Sequence, residues 1–352
     1  MVTTLILALF LKALFLYQPA VIPYYFLLTT NIAELPQIAL QMQSSAAVEA
    51  LDRSRNAVWL EHRWLQDGIS DSELLDLCTT LKSNGVRYVF PHLSPADADG
   101  RLPPFSQEAA RRFRRVLKQN CPDVQILPWV GGVKTGFRQT QAGTIQFNSD
   151  PYLQTFASEC VMLTRDLGFD GVHLNIEPLD SGNARYPEWL EYMKSRLEGK
   201  VLSIAANKPS FFEGLNVSPE RSWDIDYFAR VGKECDQMVI MNYDTGLWNS
   251  FLYSLFVREK VSAILRRFAN DKVPCKLLLG IPTYDPAPRH NVEAENVSAA
   301  LKGLIAALSL QDVPKNNFEG VALYGYWTTD EKEWRDFSEY WLKLNHGDTK
   351  AH

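Results

Sequence analysis

Eight short apolar segments, each followed by an amphipathic helix, run through residues 57–346 and predict a single-domain (β/α)8 barrel of the α/β class. Two further observations favour the barrel over a doubly wound open sheet. No G-x-G-x-x-G or phosphate-loop pattern follows any strand, and no long insertion interrupts the repeat.

The strands are predicted at 57–65, 86–93, 124–130, 171–176, 201–206, 237–243, 276–281 and 320–326. Most are near-continuous apolar runs, as strands covered on both faces in a parallel sheet require. Helices are predicted at 71–83, 106–119, 151–167, 186–198, 222–233, 249–269, 292–308 and 330–344. Ser70-x-x-Glu73 and Thr328-x-x-Glu331 read as capping boxes, and Ser149 precedes Asp150-Pro151 as a cap before a first-turn proline. Gly85 and Gly168 punctuate helix ends.

Residues 1–35 form a hydrophobic N-terminal segment in which the stretch 3–28 carries Lys12 as its one charged side chain. A hydrocarbon core takes about 20 apolar residues to cross. Lys12, Pro19 and Pro23 interrupt the stretch, and a basic region before it is missing. The segment reads as a membrane anchor or signal-like, making the protein membrane-associated or exported. A start at Met42 would instead leave the barrel cytoplasmic. Residues 36–56 read as a polar linker, 57–346 as the barrel and 347–352 as a tail.

Apolar residues make up 46% and charged residues 22%, a globular composition. The balance of 36 Lys+Arg against 41 Asp+Glu leaves no basic excess to neutralise phosphates, which excludes nucleic acid as the expected partner. Cys78, Cys121, Cys160, Cys235 and Cys275 are scattered, with no C-x-x-C or Cys/His metal spacing. They read as reduced, buried thiols, and neither a metal nor a cofactor is expected.

Active sites of such barrels lie at the C-terminal ends of the strands. Those ends carry His92, Trp129, His173-Leu174-Asn175-Ile176-Glu177, Asn207-Lys208, Tyr243-Asp244, Tyr284-Asp285 and Trp327. Acids, amides, imidazoles and aromatics thus gather on one rim, the residue types of a carbohydrate cleft. Side chains alternate along a strand, so His173, Asn175 and Glu177 share one face about 6.6 Å apart in succession. Glu177 then stands at the rim, where partial burial favours its protonated form and suits a general acid. The plainer reading makes Glu177 a helix cap or a partner of Arg185.

The string from Gly168 to Glu177, Gly-Phe-Asp-Gly-Val-His-Leu-Asn-Ile-Glu, resembles the D-G-x-D-x-D-x-E signature of family 18 chitinase-like glycoside hydrolases. Asp170, Gly171 and Glu177 match, while His173 and Asn175 stand where that family has Asp. Trp129-Val130-Gly131-Gly132 resembles its S-x-G-G, Met241-Asn242-Tyr243-Asp244 its M-x-Y-D, and the final strand ends in Tyr324 where a Trp is usual. The N-x-E pair is also similar to family 85 endo-β-N-acetylglucosaminidases. Both resemblances imply a retaining, substrate-assisted mechanism on N-acetylhexosamine-containing poly- or oligosaccharides. In it Glu177 is the acid/base, Asn175 accepts the acetamido N–H and Tyr243 donates to the acetamido oxygen. Asp244, His173, Trp129, Trp327, Tyr284, Asp285, Asn207 and His92 are the expected substrate contacts. A non-catalytic, lectin-like glycan-binding barrel is the first alternative. The second is a two-carboxylate glycosidase of another barrel clan, pairing Glu177 with Asp244 or Asp285.

Overall fold

A computed structural model describes residues 54–134, 143–212 and 218–342, together with Ile38. The hydrophobic segment at 1–35, nearly all of the linker and the tail lie outside the described residues. Among the described residues, no helix is long and apolar enough to cross a membrane.

The sheet begins with β1 (Asn56–Leu60) and β2 (Val86–Pro91). β3 (Gln125–Ile126) and β4 (Trp129–Lys134) follow, flanked by β5 (Thr144–Ile145). Next come β6 (Gly171–Ile176), β7 (Val201–Ala206), β8 (Lys208–Pro209), β9 (Ser222–Trp223) and β10 (Gln237–Met241). β11 (Lys276–Pro282) and β12 (Phe318–Tyr324) complete it. The main sheet has ten strands in the order β3-β2-β1-β12-β11-β10-β7-β6-β4-β5, and β8 and β9 pair separately. All its pairings are parallel. β3 pairs with β2 and β4 with β6. Together they act as one strand bent at Leu127-Pro128, which joins the two ends of the sheet and closes the barrel.

Among the described residues, eight α-helices cover the sheet: α1 (Asp71–Ser83), α2 (Gln107–Asn120), α3 (Asp150–Arg165), α4 (Arg185–Arg196), α5 (Ile225–Gly232), α6 (Ser250–Asn270), α7 (Val297–Leu308) and α8 (Glu331–Phe337). The Ser70–Glu73 capping box is present, and Ser149 caps α3 through the Tyr152 amide. The last box sits two residues later than the sequence suggests. Asp330 and Glu333 cap α8, while the Thr328 hydroxyl donates to the Gly325 carbonyl. The first strand also stops early, at Leu60, and His62–Leu65 form a 3-10 turn that buries Trp64 and Leu65. Ser222–Trp223, expected in a helix, instead form β9.

Strand alternation separates two apolar layers. Ala57, Trp59, Tyr88, Phe90, Leu127 and Val239 pack inside the barrel, whereas Val58, Leu60, Val89, Leu174 and Ile240 pack outward against the helices. The inner layer also holds a polar column. Glu319 accepts from the Tyr88 hydroxyl at 2.8 Å and from the Gln237 amide at 3.2 Å. The Ser203 hydroxyl donates to Gln237 Oε1 at 2.8 Å and meets His173 Nδ1 at 2.8 Å. His173 stacks on Phe90, with ring centroids 3.9 Å apart.

Burial lowers the His173 pKa to about 3 from the ordinary 6.5. A depressed folded-state pKa gives stability that is present above 6.5 and is lost as pH falls through the folded value. The urea midpoint is expected to fall across that window. His173→Phe, which repeats the stack without titrating, should remove part of the slope. An unchanged slope would show that His173 does not set the acid limb.

Candidate active site

β6 delivers the acid. Its register with β4 pairs Gly131 with Asn175, and the Glu177 amide donates to the Gly132 carbonyl at 3.1 Å, holding the first residue past the strand at the rim. The approach at Gly131 is so close that a Cβ there would lie 1.8 Å from the Asn175 carbonyl oxygen. Gly131→Ala must therefore push β4 away from β6. A destabilisation of at least about 1–3 kcal/mol, typical of overpacking, is expected, read as a lower urea midpoint. Wild-type stability in that variant would contradict the register.

Glu177 is exposed as a whole residue at the rim. Its pKa is raised by crowding of the carboxyl group against the rim, which a hydrogen bond from Asn175 opposes; the Asp244 carboxylate adds to the rise and the Lys208 ammonium opposes it. Asn175 Oδ1 is buried and has no hydrogen-bond partner among the described residues. With the amide turned toward Glu177, that oxygen is an acceptor without a donor, which a buried polar group rarely tolerates. Arg185 does not neutralise Glu177, because it pairs with Asp150 and Glu188.

β10 lies one strand beyond β7 from β6, so Tyr243 and Asp244 stand on the same side of the barrel as Glu177. Tyr243 is largely buried, near-parallel to Tyr324 at 6.0 Å and edge-on to Tyr284 at 5.9 Å. Burial and then the nearby Glu177 hold its hydroxyl protonated, well above the usual phenol pKa. It is therefore a donor at any physiological pH.

Asp244 accepts the Tyr284 hydroxyl at 2.5 Å and adopts φ +56°, a left-handed conformation that costs a non-glycine residue energy. A buried clamp holds it. Glu295 accepts the amides of Asp244 at 2.9 Å and Thr245 at 2.7 Å as well as the Thr245 hydroxyl, and meets His290 Nδ1 at 3.0 Å. His290 Nε2 faces the Tyr284 carbonyl at 3.2 Å. One ligand atom from each of Asp244, His290 and Glu295 lies within 4.8 Å of the others. Those atoms already serve the backbone, Tyr284 and one another, so the trio fits a structural clamp rather than a metal centre.

The remaining rim residues divide. Trp129 and His92 pack together at 4.1 Å, half-buried in the cleft wall. Trp327 is 40% exposed and edge-on to Tyr324 at 5.5 Å, and Asp285 is exposed in the loop after β11. His173 and Asn207 do not reach the cleft as expected. His173 is fully buried one layer below Asn175, and Asn207 donates to the Leu179 carbonyl at 3.0 Å. Both shape the wall from behind. Asp170 is also structural, accepting the Ile126 amide at 2.8 Å and pairing with Lys118. The sequence reading missed Trp248, 54% exposed in the loop after β10, and the Glu295–His290 clamp. An isolated aromatic four residues past Asp244 was the available signal for the first.

Comparisons with known proteins bear on the family and the fold. A model of the family "Glycosyl hydrolases family 18" matches residues 75–343. The chain belongs to glycosyl hydrolase family 18. No curated protein matches the chain. Among solved structures, the spore cortex-lytic enzyme SleL of Bacillus cereus is similar, with TM-score 0.54 and 13% identity over 82% of this chain and 74% of that one. A chitinase from Chromobacterium violaceum gives TM-score 0.53 and 16% identity over 81% and 98%. A Group IV chitinase from Ostrinia furnacalis gives 0.54 and 14% over 84% and 100%. At these identities the likeness shows the fold.

Proposed function

We propose that this family 18 barrel hydrolyses N-acetylhexosamine-containing glycans with retention of configuration, the substrate's own acetamido group acting as nucleophile. The observation that carries the reading is the unpartnered Asn175 Oδ1 beside a carboxyl group with a raised pKa. An acetamido N–H supplies the donor that oxygen lacks. The acetamido carbonyl oxygen then faces C1 of the same sugar.

In the first step Glu177 gives its proton to the leaving glycosidic oxygen while the acetamido oxygen bonds to C1, forming an oxazolinium ion. In the second the Glu177 carboxylate takes a proton from water, which attacks C1 and reopens the ring. Family 18 enzymes are exceptions to the two-carboxylate scheme for this reason. Asn175 orients the acetamido group by accepting its N–H. Tyr243 donates its hydroxyl to the acetamido oxygen. Tyr284 holds Asp244, and the exposed faces of Trp327 and Trp248 offer sugar-stacking surfaces.

The test is hydrolysis of a chromogenic chitobioside and of an N-glycan core oligosaccharide by the full chain. Release from an acetamido substrate, and none from the matching glucoside, is expected. Binding of N-acetylglucosamine oligomers without turnover would replace the hydrolase with a lectin-like barrel.

A further inference from the structure

All five cysteines are buried free thiols, and four of them meet in pairs. The Cys121 thiol donates to Cys78 Sγ at 2.9 Å, and Cys235 Sγ lies 3.5 Å from Cys275 Sγ. Cys78 is buried on α1 and Cys121 is the residue that ends α2, so the first pair bridges two helices packed on one another. Cys235 and Cys275 stand just before β10 and β11. Both pairs therefore lie toward the end of the barrel where the strands begin, away from the cleft.

The surroundings set the first pair apart. Cys121 lines a surface pocket of about 220 Å³ together with Lys82, Arg87 and Asp123, which gives a small solute a route to the sulfurs. Cys235 and Cys275 are fully buried. Lys82 follows Cys78 by four residues, one turn along the same helix face. The thiolate is the nucleophilic form of cysteine, and burial alone disfavours it. At Cys78 the hydrogen bond from Cys121 lowers the pKa, burial opposes that shift, and the Lys82 ammonium adds to it. Cys121 is raised, first because its proton is held in that bond and then by burial. One sulfur is thus prepared to attack while its neighbour keeps a proton, the arrangement of a reactive thiol beside a resolving one.

We propose that Cys78 and Cys121 form a peroxide-reactive dithiol that closes to a disulfide and ties α1 to the end of α2. The oxidant is a hydroperoxide. The Cys78 thiolate attacks one peroxide oxygen, the O–O bond breaks, and the hydroxide released takes up the proton that Cys78 had lost. Cys78 is then a sulfenic acid. The Cys121 sulfur attacks it, the S–O bond breaks, and the departing hydroxide takes the Cys121 proton. Two thiols are oxidised to one disulfide, and one hydrogen peroxide is reduced to two waters. The sulfurs close from 2.9 Å to about 2.0 Å. The bond also steadies the barrel's seam. β3 starts four residues after Cys121 and is two residues long, yet it carries the pairing with β2 at the closure. None of this rests on the hydrolase reading of the cleft.

The test treats the reduced full chain, freed of reductant, with hydrogen peroxide. Remaining thiols are alkylated after denaturation, and intact mass and a non-reducing peptide map are read. Two fewer alkylated cysteines than in the untreated chain are expected, with a single cross-link joining Cys78 to Cys121 within one chain. Tm should rise by about 5 °C and return to its starting value with dithiothreitol. In Cys121→Ser, Cys78 should stop at the sulfenic acid and be labelled by dimedone, whereas Cys78→Ser should leave Cys121 unlabelled. An unoxidised chain, a cross-link between Cys235 and Cys275 instead, or one between two chains overturns the dithiol. Labelling of Cys121 in Cys78→Ser, with none of Cys78 in Cys121→Ser, overturns the order of attack. A Cys78–Cys121 bond with unchanged Tm overturns its hold on the seam.

Discussion

Replacing Glu177 with Gln is expected to lower kcat/KM on an acetamido glycoside by about 10²–10⁴, the usual contribution of a general acid. Gln keeps the size and the Asn175 contact but holds no transferable proton. Stability should move the other way. The Glu177 pKa is raised above 4.5, so the folded state retains a proton that the unfolded chain has lost. Any stability from that retained proton is fully present below 4.5 and lost as pH rises through the folded pKa. Ionised Glu177 is disfavoured by the fold, so Glu177→Gln should have the higher Tm at pH values above the folded pKa and no advantage below pH 4.5. Loss of activity together with a lower Tm at neutral pH would mean that the side chain serves the fold rather than the reaction.

Asn175→Asp is expected to increase turnover. The amide orients the acetamido group but adds no negative charge, whereas a carboxylate there stabilises the oxazolinium ion across a short distance in a partly dry cleft. A rise in kcat of about 10–10² is expected, within the range that single preorganised groups contribute at such sites. The pH profile should shift with it. Glu177 would lose the Asn175 hydrogen bond that lowers its pKa and gain a like charge that raises it further. The limb on which activity falls as the acid loses its proton should then move to higher pH. A drop in kcat, or an unmoved alkaline limb, would show that Asn175 is matched to a different step or ligand.

Much of the fold is legible in the sequence because its information is periodic. The eightfold recurrence of apolar segment and amphipathic helix marks the barrel, and the strand ends offer Glu177, Asn175 and Tyr243 as candidates. What remains hidden depends on contacts between distant segments. His173 and Asn207 read as cleft residues because each lies at or near a strand's C-terminal end. Depth within the barrel and the backbone carbonyl nearest Asn207 are set by how neighbouring strands are staggered, which one strand's sequence does not encode. Ser203, Gln237 and Glu319 form the polar column beneath the site only through such lateral registers. Glu295 lies 51 residues from Asp244 and binds its amide, so no local pattern connects them. The bend at Pro128 is readable in hindsight, since proline supplies no amide to the ladder.

The most direct test of the central claim is the anomeric configuration of the first product. Proton NMR would follow hydrolysis of an N-acetylglucosamine oligomer by the full chain, before mutarotation mixes the anomers. Acetamido participation inverts C1 twice, once as the acetamido oxygen expels the leaving group and once as water opens the oxazolinium ion, so a β-linked oligomer gives the β anomer first. Early accumulation of the α anomer would contradict it, placing a water-activating carboxylate opposite Glu177 in an inverting site.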